Sequence, residues 1–260
     1  MMTLFVFAIC LLASTVGGVC GIGGGVVIKP VLDLTGVMSV SAVSFLSGLT
    51  VLSMSLISVF KNRGSNELEP KSSIPLGLGA AIGGIVGKLM FESIKAAAQN
   101  DRVVGFVQSV VLGLMVLGTL GYVCVKARIA TKQVRNPAAS SAIGLALGVC
   151  SSFLGIGGGP MNLAVMHYCF SMGTKQAAAN SLLVILLSQT ANLIFSLLRA
   201  SIPAFSWLTL AVMVAAGVIG GFVSARLHKK LSAETTDRLF KVLLVVIFLI
   251  CVSNAIRALG

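Results

Sequence analysis

The sequence predicts an all-α polytopic membrane protein made of two inverted repeats, each a glycine-broken re-entrant or split helix followed by three transmembrane helices. Three observations carry that expectation. The motif GIGGG occurs at residues 21–25 and again at 155–159, 134 positions apart, each time inside a long apolar stretch. Of the 260 residues, 57% are hydrophobic and only 10% are charged, and the mean hydropathy is +1.03. A soluble domain carries about 25% charged residues. The lysines and arginines, finally, collect in short connections between the apolar runs.

Each element follows from its composition. The first twenty residues lack the basic start of a signal peptide and align with the opening of the second half, so they belong to the fold. The first GIGGG then breaks the apolar stretch. Runs long enough to span a bilayer, about 20 residues each, follow at 39–60, 74–91 and 103–125. A second broken stretch and runs at 176–198, 205–225 and 239–256 repeat the scheme. The match extends past the glycines: Met38 corresponds to Met172 and Ser47 to Ser181 at the same spacing. After small shifts of register, Ile82-Gly83-Gly84 corresponds to Ile219-Gly220-Gly221, and Asp101-Arg102 to Asp237-Arg238. The halves are 1–128 and 136–260, joined by a basic cytoplasmic linker at 129–135.

Charge bears on orientation. If each broken segment enters and leaves on one side and three crossings follow, the odd number inverts the second half. Thirteen of the 19 lysines and arginines then fall on one side, in the connections 61–71, 126–135, Lys175 and 226–241. Lys95, Arg102, Arg199 and Arg257 fall opposite, with Lys29 and Lys88 near or within the membrane. Counting each broken segment as a full crossing would place the basic stretch 226–241 opposite the linker. The positive-inside rule favours the inverted arrangement with both termini outside, in a bacterial cytoplasmic (inner) membrane. The net charge of +12 therefore marks cytoplasmic loops, and no nucleic-acid partner is expected.

Irregular backbone inside a bilayer is tolerated only where protein buries it or water reaches it. A helix restarting after the glycines would present free N–H groups and the positive end of its dipole, which suits an anion. Two such ends at corresponding positions of two halves point to a transporter's substrate site. The competing reading is that the glycines only permit close helix crossing, and that reading is preferred for Gly83-Gly84 and Gly220-Gly221. Pro160 suits the first turn of a new helix, where its missing N–H costs nothing. Lys29, four residues past Gly25, and Asp33, four further, share a helical face. They form either a salt bridge or an anion-path lysine beside a proton- or cation-coupling aspartate. Ser188, Gln189 and Asn192 either bridge helices or line a cavity. The six cysteines have neither CxxC nor metal-ligand spacing, and Cys20 reads as a small packing residue. His167 reads as structural and His228 as a loop residue. GIGGG lacks the strand-turn-helix setting and the GK[ST] of nucleotide loops. No enzyme, no metal and no cofactor is expected.

The duplicated GIGGG, the continuation Val27-Ile28-Lys29-Pro30-Val31-Leu32, the segment Ala177-Ala178-Ala179-Asn180-Ser181-Leu182, the Gly-Gly spans and the Asp-Arg pairs resemble the TauE/SafE family of permeases over nearly the whole chain. That family is associated with sulfite, sulfonates, sulfoacetate and related sulfur anions. The resemblance implies a secondary transporter whose anion site involves Gly21, Gly23, Gly24 and Gly25 with Gly155, Gly157, Gly158 and Gly159. Ser47, Asn162, Asn180 and Ser181 would assist, with Lys29, and Asp33 is the coupling candidate. Lys29 departs from the family's apolar pattern before that proline. The expectation is a permease for a small sulfur-containing anion in the lipid bilayer, with export preferred and proton or cation coupling. Uptake of an organic anion, a passive anion channel and a non-transporting scaffold are the alternatives. Oligomeric state is not legible.

Overall fold

A computed structural model describes residues 2–63, 67–98 and 101–259, apart from the side chains of Asp101 and Leu259. The Asp101 side chain of the Asp-Arg correspondence and positions 64–66 of the 61–71 connection thus lie outside the described residues. Among those residues the fold is all-helical: α1 (Met2–Cys20), α2 (Gly25–Thr35), α3 (Val40–Asn62), α4 (Pro70–Ala98), α5 (Asp101–Val125), α6 (Pro137–Phe153), α7 (Pro160–Phe170), α8 (Thr174–Leu198), α9 (Trp207–Lys230) and α10 (Ala233–Leu259). Seven of them, all but α2, α6 and α7, are long and apolar enough to cross a membrane. Large apolar side chains such as Leu4, Leu114, Leu198 and Trp207 stay at least 65% exposed, the surface that lipid covers in a membrane protein.

Local chemistry sets the boundaries. Ser39 caps α3 by accepting from the Ala42 N–H at 3.3 Å, and Asn136 caps α6 through the Ala138 N–H at 2.9 Å, the usual work of N-cap side chains. Pro160 opens α7 at its first position, as its missing donor predicts.

Both glycine motifs end one helix and start another. After α1 the chain folds back. Ile22 N–H donates to the Gly17 carbonyl at 3.0 Å, and a Cβ on Gly24 would lie 3.0 Å from the Ser14 Cα. Val6, Cys10 and Ala13 of α1 then share a core with Ile28 and Leu32 of α2. In the second motif Ile156 N–H reaches the Ser151 carbonyl at 3.2 Å.

Small residues bring helices close. Along α4, Gly79, Gly83 and Gly87 lie directly against the backbone of Ser141, Leu145 and Val149 on α6. Gly144 and Gly148 answer against Leu76 and Ala80. This is packing of small residues four apart, where the absent side chains let backbones meet. Gly220 sits likewise against Ser14, and Gly221 against Met54, where an added Cβ would lie 2.8 Å from the carbonyl oxygen. The expected packing role of the Gly-Gly spans holds there. Contacts also recur in exchanged pairs: α4 packs on α6 and α8, as α9 packs on α1 and α3, and α5 touches α7 as α10 touches α2.

Candidate functional site

The two GIGGG motifs meet at the centre of the molecule. A Cβ on Gly25 would clash with the Ile156 carbonyl, lying 2.7 Å from its carbon, and one on Gly158 would lie 3.0 Å from the Ile22 oxygen. Ile22 and Ile156 are fully buried, as are Val51 of α3 and Ile185 of α8 to within 1%. Val51 faces both Gly23 and Gly157. Four of the motif glycines need the left-handed region: Gly21, Gly23, Gly155 and Gly157 have φ between 65° and 77°. A residue with a Cβ would be strained there by about 1–2 kcal/mol.

A cavity of about 810 Å³ runs from the connection 201–204 to the second motif, where Gly155 and Gly157 form part of its wall. That volume is within the roughly 300–1,000 Å³ of small-molecule sites. The start of α3 contributes Ser39, Ser41, Ser44 and Gly48; the end of α8 contributes Gln189, Asn192 and Ser196. Two cations from α4, Lys88 and Lys95, stand on the wall with Glu92. Lys88 donates to Ser196 and, at 3.2 Å, to Ser201, and lies 3.8 Å from Glu92. Lys95 donates to Ser41 at 2.6 Å. Apolar wall comes from Phe45, Leu49, Leu52, Phe91 and Leu193. The Ser44 hydroxyl and the side-chain oxygen of Asn192, both on residues that line the cavity, are buried without a hydrogen-bond partner.

The expected site residues separate into groups. Gly155 and Gly157 line the cavity; Gly158 and Gly159 do not, Gly158 lying against Ile185. Gly21, Gly23, Gly24 and Gly25 do not line it either. Gly21 packs on Ala178, with its Cβ position 2.6 Å from the Ala178 carbonyl oxygen. Ser47 lies behind the wall and donates to the Gly155 carbonyl at 3.0 Å, fixing the motif that the cavity meets. Lys29 is 2% exposed and pairs with Asp33 at 2.7 Å, the i,i+4 bridge; its aliphatic stem approaches Gly155. Asp33 keeps one oxygen without a partner. Asn162 and Ser181 are buried away from the cavity lining.

Asn180 sits elsewhere and is fully engaged. Its oxygen accepts from the Glu69 N–H at 2.8 Å and from Ser73 at 2.7 Å. Its amide donates to the Glu67 and Gln176 carbonyls, both at 2.7 Å. It ties the strap 67–69 before α4 to α8. Asn180→Ala is expected to lower unfolding stability by about 2 kcal/mol, since each buried group left unpaired costs about 1–3 kcal/mol; thermal unfolding of the purified protein measures it.

Sequence reading missed Lys88 and His228. Lys88 follows Gly84 by four residues, and a lysine inside an apolar run was itself the available signal. His228 is 2% exposed in the last turn of α9, not in a loop. His167 bonds Tyr122 at 2.8 Å, and Cys20 is packed in a core cluster with Leu154, as expected of both.

A bundle of long apolar helices around broken central segments, with a cation-bearing cavity ending at one break, is the arrangement of a polytopic membrane transporter. The sulfite exporter TauE/SafE family model matches residues 6–251, so the chain belongs to that family. It is 21% identical over 255 residues to the probable membrane transporter protein YunE of Bacillus subtilis, covering 91% of this chain and 92% of that protein. No solved structure matches. The protein is a multi-pass membrane transporter.

Proposed function

We propose that the chain is a secondary permease for a small sulfur-containing anion, working by alternating access between two inverted halves, 1–128 and 136–260, with export as the direction. The observation that carries this is the cavity, whose Lys88 and Lys95 line the way to Gly155 and Gly157. Cations on a membrane-spanning helix are costly and mark an ion path. The fold-back at the first motif and the exchanged helix contacts support the inverted arrangement. Contact of the two motifs behind Val51 and Ile185 supports a transporter closed on one side over an open channel.

A second reading within the class has its own support. Phe45, Leu49, Leu52 and Phe91 offer more apolar wall than an inorganic ion uses, which favours an anion with a carbon skeleton, such as a sulfonate.

The test is thermal stabilisation of the purified protein by sulfite, sulfate, thiosulfate, sulfoacetate, taurine and a carboxylate control. A ligand at about 100 times its Kd adds about 2.7 kcal/mol. One sulfur anion should shift the transition, and Gly157→Leu, which fills the cavity wall, should abolish the shift. No shift with any sulfur anion, in well-folded protein, would remove the substrate assignment.

A further inference from the structure

Beside the end of α1 lies a row of buried polar side chains on α3 and α9, its serines bonded to helix carbonyls. Ser55, Ser58 and Ser224 are at most 1% exposed and Asn62 4%. Ser58 and Ser224 bond each other at 3.2 Å, and Ser224 fills the space beside Gly18. The register of the repeat gives this row a meaning. Ser55, Ser58 and Asn62 of α3 stand 134 positions before Gln189, Asn192 and Ser196 of α8, which line the open cavity. The row is the counterpart of the cavity wall, in the packed state.

At its far end lies His228. Its Nδ1 is 3.2 Å from the Val19 carbonyl oxygen, and its Nε2 is 2.9 Å from Glu67 Oε2. A carbonyl only accepts, and so does an ionised carboxylate, whereas a neutral imidazole has one donor and one acceptor. Both contacts are hydrogen bonds at once only if the pair carries one proton more than a neutral histidine beside an ionised glutamate: imidazolium with carboxylate, or Nδ1–H imidazole with a protonated Glu67. Val19 lies in the last turn of α1, where carbonyls lack intrahelical partners and the dipole favours a cation. The charged residues on the elements the pair joins are Glu69 of the strap, Lys61 at the end of α3, Lys175 at the start of α8, and Arg226, Lys229 and Lys230 at the end of α9. Lys229 is turned to the Lys61 carbonyl at 3.3 Å, and Glu69 to Gln176 at 3.1 Å.

We propose that His228 and Glu67 form a proton-binding latch that shuts a second half-path, lined by Ser55, Ser58, Asn62 and Ser224, between the end of α1 and the basic face. This rests on the alternating-access reading. The closed form holds the extra proton, so acid on that face keeps the half-path shut. Alkali withdraws the proton to solvent, leaves Nε2 and the carboxylate as two facing acceptors, and lets the Glu67 side chain swing off His228 while Asn180 holds the strap backbone.

The experiment is peptide-resolved N-ethylmaleimide labelling of Ser58→Cys in the full chain in lipid nanodiscs. Each rate is normalised to the same peptide in unfolded protein at the same pH. Between about pH 5 and pH 8 the normalised rate should rise at least tenfold. Ser55→Cys serves if Ser58→Cys does not fold. Glu67→Gln offers Nε2 an amide donor, so a neutral His228 satisfies both contacts, and labelling should stay slow at every pH. A merely structural pair would not give that result. Flat labelling in the parent, or a pH response surviving in Glu67→Gln, overturns the latch. Sulfite counterflow in proteoliposomes separates the two readings. A labelling switch without transport of sulfite or a sulfonate sinks the substrate assignment and leaves the latch; transport with flat labelling sinks the latch alone.

Discussion

Gly25→Ala is expected to abolish transport and to destabilise the fold by about 3 kcal/mol, the upper part of the range for overpacked cores. Helix propensity argues the other way: Gly25 opens α2, and alanine is favoured over glycine in a helix by up to about 1 kcal/mol. Packing decides, because the added methyl would meet the Ile156 carbonyl of the other motif and Val51 at 3.0 Å. A flexible side-chain end would swing away; a carbonyl held between two broken helices moves only if the second motif moves with it. Gly36→Ala is the control. Gly36 has φ 63° with nothing within 4 Å of an added Cβ, so only the left-handed penalty of about 1–2 kcal/mol applies and transport should persist. Unfolding in detergent and anion flux in proteoliposomes measure both variants. A stable, active Gly25→Ala protein would mean that the two motifs do not meet as described.

What was legible in the sequence was whatever depends on local chemistry or on the repeat. The break at each GIGGG, the restart of α7 at Pro160, the Lys29–Asp33 bridge and the tight Gly-Gly crossings all follow from spacing within one or two turns. The three transmembrane runs of each half emerged as α3 to α5 and α8 to α10, because apolar length is written along the chain. The site was less legible for a specific reason. Two identical motifs give no hint of which one a cavity will reach, since one conformation favours one side: Gly155 and Gly157 line it, whereas Gly21 is packed on Ala178. Asn180 sits in a segment that looks functional, but its partners Glu67, Glu69 and Ser73 lie more than 100 residues away. Distance in sequence hid the strap. The same distance hid His228, whose neighbours in the chain are lysines and whose neighbours in space are Val19 and Glu67.

Lys88→Met is expected to weaken binding of the transported anion by about 30-fold while leaving the protein folded. A hydrogen bond to a charged group is worth about 1.5–3 kcal/mol, and each 1.4 kcal/mol is about tenfold in affinity. Methionine keeps an unbranched apolar side chain against the cavity wall, so the change isolates the ammonium. Stability should hold because Glu92 retains Arg199 at 4.0 Å, and Ser196 still donates to the Asn192 carbonyl at 2.6 Å. Glu92→Gln should act oppositely. It removes the anion that shares Lys88 at 3.8 Å, leaving the cation for the substrate, and affinity should rise a few-fold. Opposite signs at two positions one helical turn apart are hard to obtain from a general loss of packing. Concentration dependence of anion flux for the two variants reads both effects as changes in KM. An unchanged KM in Lys88→Met, beside a Gly157→Leu variant that binds nothing, would mean that the anion reaches the second motif without using the cationic wall.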